Sequence, residues 1–179
     1  MLSRLFLFCF SLLSAGAQAE LGEHLQISLG KPAAQDFEAV VAPDGSGAPP
    51  GAGSVGAGKE LYERHCTACH GLDGKLPGNA IAGGIGSLTT SRPNKTVGSY
   101  WPYATTLFDY INRAMPYGNE KSLTANEIYA ITAYVLHLND IVPHSLVLSV
   151  ENLAEIEMPN RNGFRTLPGY RPVTVEETR

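Results

Sequence analysis

The chain has 179 residues, and its 17 acidic against 13 basic side chains give a net charge of −4 at neutral pH. This acidic balance argues against nucleic acid or an anionic membrane surface as the partner. The length suffices for one compact domain with extensions. Beyond the N-terminus, no apolar stretch approaches the roughly 20 residues that a membrane span requires.

Residues 1–19 have the pattern of a secretory signal peptide. A short start containing Arg4 precedes an apolar run at 5–13, and Ala-Gln-Ala at 17–19 forms a small-x-small cleavage site. The apolar run is too short to remain as a membrane anchor. We therefore expect cleavage after Ala19 and export to the periplasm. Cys9 leaves with the signal, so the exported chain keeps only the cysteines at 66 and 69.

Residues 20–54 are expected to form an extended arm ahead of the folded domain. Proline and glycine are dense at 43–53, and such a run cannot hold a helix or a central strand. The segment is either a flexible spacer or an arm packed on the domain through Phe37, Val40 and Val41. A partly ordered arm is the favoured interpretation.

The first predicted helix covers 59–66 and runs into Cys66-Thr67-Ala68-Cys69-His70. The pattern Cys-x-x-Cys-His marks covalent attachment of a c-type haem. Two cysteines at this spacing lie on one face of a helical turn, so both thiols reach the vinyl groups of one porphyrin. The imidazole of His70 then comes under the iron as the proximal ligand. Cys66, Cys69 and His70 therefore predict one covalent haem.

Three other interpretations of the motif are open: a structural zinc half-site, a thioredoxin-like redox pair and a chance match. Zinc would need a second ligand pair, and the sequence has no other Cys-x-x-Cys and no His-x-x-x-His. A thioredoxin-like pair follows a buried strand, and none is predicted before Cys66. The haem interpretation is therefore favoured.

The rest of the domain is predicted to be helical around the haem. Residues 71–99 contain seven glycines and two prolines and form a long loop that needs a cofactor to pack on. Apolar spacing predicts a second helix at 104–114, and a capping box at 124–127 starts a third that runs to about 138. We expect an all-α cytochrome c fold with three main helices, a domain at 55–145 and a C-terminal tail at 146–179 that packs on the domain or a partner.

Met115 is the best candidate for the second axial ligand. It follows the second helix and precedes Pro116, which biases it towards an extended backbone suited to presenting its sulfur. A haem used for electron transfer has both axial positions filled, and a His/Met pair gives a high potential. Other side chains were weighed as ligands: Met158, also followed by proline, and His24, His65, His137 and His144. His65 abuts Cys66 and cannot reach the opposite haem face, and His137 is expected on the exposed side of its helix.

Four segments of the chain resemble the sequences of one protein family: the arm at 43–51 and the blocks at 98–116, 122–139 and 158–164. The specific features are Tyr-Trp-Pro-Tyr at 100–103 and Met-Pro-Asn-Arg at 158–161. They resemble the cytochrome c subunits of periplasmic sulfur-oxidising molybdoenzymes, namely sulfane dehydrogenase and related sulfite dehydrogenases. The resemblance implies that Cys66 and Cys69 bind haem, that His70 and Met115 ligate its iron, and that a molybdenum subunit oxidises sulfur. Some family members carry a second haem domain, whereas this chain has one motif.

The function predicted from the sequence is electron transfer from a molybdenum sulfite or sulfane dehydrogenase towards the respiratory chain, through a downstream cytochrome or oxidase. The chain would be the electron-transfer subunit and not a catalyst by itself. The main alternative is a freely diffusing carrier, which would need neither arm nor tail. A third is a haem enzyme or ligand sensor in which Met115 is displaced. Residues 119–121 offer polar groups for such an enzyme, but no acid–base arrangement stands out.

Overall fold

The computed structural model describes residues 40–169. The expected signal peptide, most of the arm, His24 and the end of the tail lie outside these residues. Four α-helices and two strands follow one another along the described chain: β1 Ala52–Ser54, α1 Val55–His65, α2 Thr67–His70, α3 Ala104–Ala114, α4 Ala125–Leu138 and β2 Val147–Ser149. Two short 3-10 helices lie at Ser87–Thr89 and Leu153–Glu155. Among residues 40–169, no helix combines the length and the apolar character needed to cross a bilayer.

The expected all-α architecture with three main helices is confirmed, and α3 and α4 begin and end close to where the sequence predicts. Thr124 caps α4, and its hydroxyl and Glu127 form the expected capping box. The first helix begins at Val55, earlier than the predicted residue 59. The reason is local, since the Ser54 hydroxyl accepts a hydrogen bond from the backbone N–H of Ala57 and caps the additional turn.

The close crossing of α1 and α4 organises the core. A Cβ added at Gly58 would overlap the backbone carbonyl of Ala130, so only glycine allows the two helices to approach this closely. One turn further along α1, the fully buried Tyr62 packs on Tyr134 with ring centroids 5.2 Å apart. The crossing therefore fixes the direction of α1 and, with it, the position of the cysteine motif that follows its C-terminal end.

A two-stranded antiparallel sheet, which the sequence did not predict, joins the segments before α1 and after α4. β1 pairs with β2 with Gly53 opposite Leu148. Strands of three residues carry too little alternation to be recognised, and their partners lie far apart in sequence.

The chain ahead of β1 also contacts the helices. The buried Val41 donates its backbone N–H to Asp109 of α3 at 3.3 Å. The Tyr129 hydroxyl of α4 donates to the carbonyl of Pro49 at 2.9 Å, and Ala52 donates to Asn126 at 3.0 Å. Residues 41–52 therefore lie along α3 and α4 rather than apart from them.

Substitution of Gly58 by alanine should destabilise the protein. The added methyl group forces α1 away from α4, and overpacking of this kind costs about 2 kcal/mol of unfolding free energy. Gly56→Ala is the matched control, because a Cβ there meets nothing within 4 Å. Alanine within a helix gains up to about 1 kcal/mol over glycine where its methyl group meets no neighbour. Denaturant unfolding of both variants measures the difference, and equal stabilities would contradict the close crossing.

Candidate haem site

A cavity of about 540 Å³ lies between the cysteine motif, the loop that follows it, and helices α1, α3 and α4. Its size falls within the range of about 300–1,000 Å³ typical of cofactor sites. Most of its lining is apolar: Ile81, Val97, Trp101, Leu107, Ile111, Leu123, Ile131 and Val135. Such a lining suits a large planar hydrophobic group.

The cysteine motif forms a tight helical turn at the end of α1. The backbone N–H of Cys66 donates to Tyr62 at 2.8 Å, and that of His70 donates to Cys66 at 2.9 Å. Both thiols line the cavity and are not bonded to each other. Burial first, and the neighbouring Cys69 second, raise the pKa of the Cys66 thiol to about 11. At neutral pH this thiol is protonated and therefore a poor nucleophile for disulfide exchange.

Tyr62 holds the chain where it leaves the motif. Its hydroxyl donates a hydrogen bond to the carbonyl of Gly71 at 2.9 Å, and its own carbonyl accepts from the Thr67 hydroxyl at 3.3 Å. Burial raises the pKa of Tyr62, so the hydroxyl remains a donor at all moderate pH values. Tyr62 thus ties both ends of α2 to α1, one through its side-chain hydroxyl and the other through its main-chain carbonyl.

His70 is oriented by a backbone carbonyl in the loop. Its Nδ1 lies 2.7 Å from the carbonyl oxygen of Asn79. A carbonyl can only accept, so Nδ1 is the donor in this contact, and the neutral tautomer with that proton has its lone pair on Nε2. A partner of this kind also restrains the ring and increases the basicity of a ligating imidazole. The contact therefore favours the tautomer in which Nε2 is the ligand atom.

Met115 lines the same cavity and is the C-cap of α3. Its backbone is extended, with φ −125° and ψ 148°, as expected for a residue that precedes proline. Met158 instead lies in the hydrophobic core, with 3% of its surface exposed, and it is not part of the lining.

The histidines weighed as alternatives are placed differently. His65 is exposed at the cavity edge beside Cys66. The Nδ1 of His137 is 3.0 Å from the carbonyl oxygen of Val142, and its ring packs against that of the exposed His144. The structure thus brings Cys66, Cys69, His70 and Met115 to one cavity, and their roles as haem residues stay a prediction.

Several residues of the site were not identified from the sequence. Asn79 acts through its backbone carbonyl, which has no signature in the side-chain pattern. Trp101 and Tyr110 stand edge-to-face in the wall, with centroids 5.6 Å apart. The aromatic block at 100–103 was noticed only as part of a resemblance.

Asn139 links the end of α4 to the loop that lines the cavity. Its side-chain amide accepts from the N–H of Gly83 at 3.0 Å and donates to the carbonyls of Ile81 and Val135 at 3.2 and 2.9 Å. The residue is buried, so these bonds also satisfy its polar atoms. Asn139, at the end of α4, therefore anchors the loop through these three bonds.

The residues present fit haem c. Two thiols three residues apart suit two thioether bonds, the Nε2 of His70 and the sulfur of Met115 suit the two axial positions, and the apolar wall suits the porphyrin face. These side chains are therefore enough to say which residue would hold each part of the haem.

Comparison with known proteins gives the same class. Residues 55–139 match the sequence model of the cytochrome c family. No protein of curated function matches the chain. A chain in the crystal structure of the sulfane dehydrogenase SoxCD from Paracoccus pantotrophus is similar at 37% identity, with a TM-score of 0.72. The match covers 84% of this chain and 81% of that one.

Replacing Met115 with alanine should remove the weak far-red absorption band that a sulfur ligand gives to ferric haem. The reduction potential should fall by on the order of a tenth of a volt, within the span of about 0.8 V that axial ligands set. Met158→Ala is the control, since loss of a core methionine costs about 2–5 kcal/mol of stability without touching the iron. A band that survives Met115→Ala but disappears in Met158→Ala would show that the ligand is misassigned.

Replacing both Cys66 and Cys69 with alanine should abolish covalent haem. No thiol of the motif then remains to form a thioether, so haem separates from the chain under denaturing conditions. Haem staining of a denaturing gel measures this directly. Retention of the stain by the double variant would contradict the assignment of both cysteines.

Proposed function

Because the chain belongs to the family of c-type cytochromes represented by the cytochrome subunit of sulfane dehydrogenase, we propose that it takes electrons from a sulfur-oxidising molybdoenzyme. Electron transfer itself follows from the family, since a cytochrome c transfers electrons. The proposal extends this to a donor of the sulfite or sulfane dehydrogenase type and to an acceptor in the respiratory chain. It also includes one covalent haem, in line with the single Cys-x-x-Cys-His motif.

One observation carries the proposal: a single cavity is lined by both cysteines, His70 and Met115. When bound there, the haem supplies an iron that gains and loses one electron. The chain's own residues tether the group, offer a nitrogen and a sulfur donor, and exclude water with an apolar wall. Since the chain offers its own ligand for each axial position, a substrate has no iron position to occupy.

The surroundings of Met115 also favour electron transfer over haem catalysis. A haem enzyme would need an acid–base side chain close to the reacting ligand. Of residues 119–121, which the sequence offers for this role, Glu120 accepts a hydrogen bond from the N–H of Gly118 at 2.7 Å, and all three are exposed and do not line the cavity. The interpretation as an enzyme or sensor therefore gains no support from these three residues.

The similarity to the sulfane dehydrogenase chain supports a permanent or transient partner of that class. It spans most of both chains, including segments on either side of the haem domain. The resemblance to subunits of periplasmic molybdoenzymes accords with the signal-peptide pattern at 1–19. We therefore propose that the chain is exported, cleaved after Ala19 and loaded with haem in the periplasm.

The partner can be identified by purifying the mature, haem-loaded protein from periplasmic extract and assaying the eluate for molybdenum and for substrate-dependent haem reduction. A co-purifying molybdoprotein that reduces the haem on addition of sulfite would identify a sulfite dehydrogenase. Molybdenum without a sulfite response would indicate the sulfane type. The double variant without Cys66 and Cys69 is the control for haem-independent signal. An eluate without molybdenum would contradict the proposal and favour a diffusing carrier.

A further inference from the structure

The segment at 158–164, called here the tail brace, lies against the segment at 100–103. The second segment contributes Trp101, the chain's only tryptophan, to the wall of the cavity. The haem assignment gives the tail brace no role. Its position beside a cavity-lining residue suggests one.

The tail brace is anchored at one end in the core. Met158 is 3% exposed and belongs to the hydrophobic cluster around the helices. Two turns follow, in which Arg161 donates its N–H to the carbonyl of Met158 and Gly163 donates to that of Asn160, both at 3.0 Å. A Cβ at Gly163 would overlap the side-chain amide of Asn160, so glycine leaves the space that this amide occupies.

Three side chains of the tail brace contact residues on both sides of Trp101. Asn160 donates from Nδ2 to the carbonyl of Tyr100 at 2.7 Å, and Phe164 meets the Tyr100 ring edge-on with centroids 5.2 Å apart. The Arg161 guanidinium lies 5.3 Å from the centre of the Tyr103 ring. Aromatic and cation–π contacts are favourable even when one partner is exposed, as Arg161 and Phe164 are. Together they hold both ends of the segment 100–103.

The other restraints on the segment that carries Trp101 act at Tyr100. Its N–H donates to the carbonyl of Thr96 at 3.0 Å, and the Lys95 ammonium lies 4.9 Å from the centre of its ring. Pro102 has no N–H, and among the described residues the N–H groups of Trp101 and Tyr103 make no backbone hydrogen bond. The tryptophan ring itself packs on Tyr110, which also lines the cavity. Its position therefore depends on side-chain contacts rather than on a helix or a strand.

We propose that the tail brace holds Trp101 in the wall of the haem cavity, with Asn160 as the positioning residue. Asn160 acts through the carbonyl of Tyr100 and does not touch the cofactor. Loss of its hydrogen bond lets Trp101 move outward and lets water approach the haem. Water stabilises the more highly charged ferric form, so the reduction potential falls. The inference rests on haem occupying the cavity, which is part of the proposed function.

The test compares Asn160→Asp with Asn162→Asp in the haem-loaded protein. Both changes add the same charge at nearly the same place and keep the side-chain shape, but only the first removes a donor that makes a hydrogen bond. Asn162 is exposed, and within the described residues its side chain makes no hydrogen bond. Haem absorbs where tryptophan emits, so emission from Trp101 is quenched by energy transfer that weakens steeply with distance.

We expect Asn160→Asp to raise Trp101 emission severalfold and to lower the potential relative to Asn162→Asp, which should match the wild type in emission. Asn160→Gln, which retains an amide donor, should restore part of the quenching. Phe164→Ala tests the same contact independently, since Phe164 is 52% exposed and its loss leaves the core intact. Covalent haem is measured first in the wild-type protein, and its absence would overturn the haem site itself. If the Asn160 and Phe164 variants carry haem but keep the wild-type emission and potential, the proposed role of the tail brace is wrong. The haem site itself would stand.

Discussion

The haem site depends on the close approach of the first and last helices. Gly58 lets α1 cross α4 at Ala130, and the next turn of α1 brings Tyr62 into the core beside Tyr134. From there the Tyr62 hydroxyl reaches the carbonyl of Gly71 and closes the turn that contains the motif. The placement of His70 is thus set by helix packing on the far side of the motif, and not by the five residues of the motif alone.

Part of the wall of the cavity is built from the long loop after the motif, and a compact domain rarely tolerates such a loop without a cofactor. Polar side chains supply the restraints that regular structure would otherwise give. Asn139 binds the loop at Gly83 and Ile81, and Ser99 accepts from the N–H of Thr96 at 2.9 Å inside the protein. These bonds satisfy backbone groups that would be costly to bury alone. The loop can therefore keep one shape while its apolar side chains face the cavity.

The parts of the fold that the sequence predicted are those with local signals. The apolar stripe of α3, the capping box of α4 and the haem motif each consist of residues that are close together in the sequence. The pairing of β1 with β2 and the bond from His70 to Asn79 depend on backbone groups that the tertiary fold brings together. The tail brace combines both cases: Met-Pro-Asn-Arg at 158–161 is recognisable in the sequence, but its contact with Tyr100 and Tyr103 emerges only in the folded chain.

The central claim is that His70 and Met115 provide the two axial ligands of one haem, which makes the chain an electron carrier rather than a catalyst. X-ray absorption at the iron edge of the purified, reduced protein tests it most directly, because sulfur and nitrogen scatter at different distances from the metal. The account predicts one sulfur scatterer at thioether distance in addition to nitrogen ligands. An iron surrounded only by nitrogen or oxygen, or one with an open position, would contradict it.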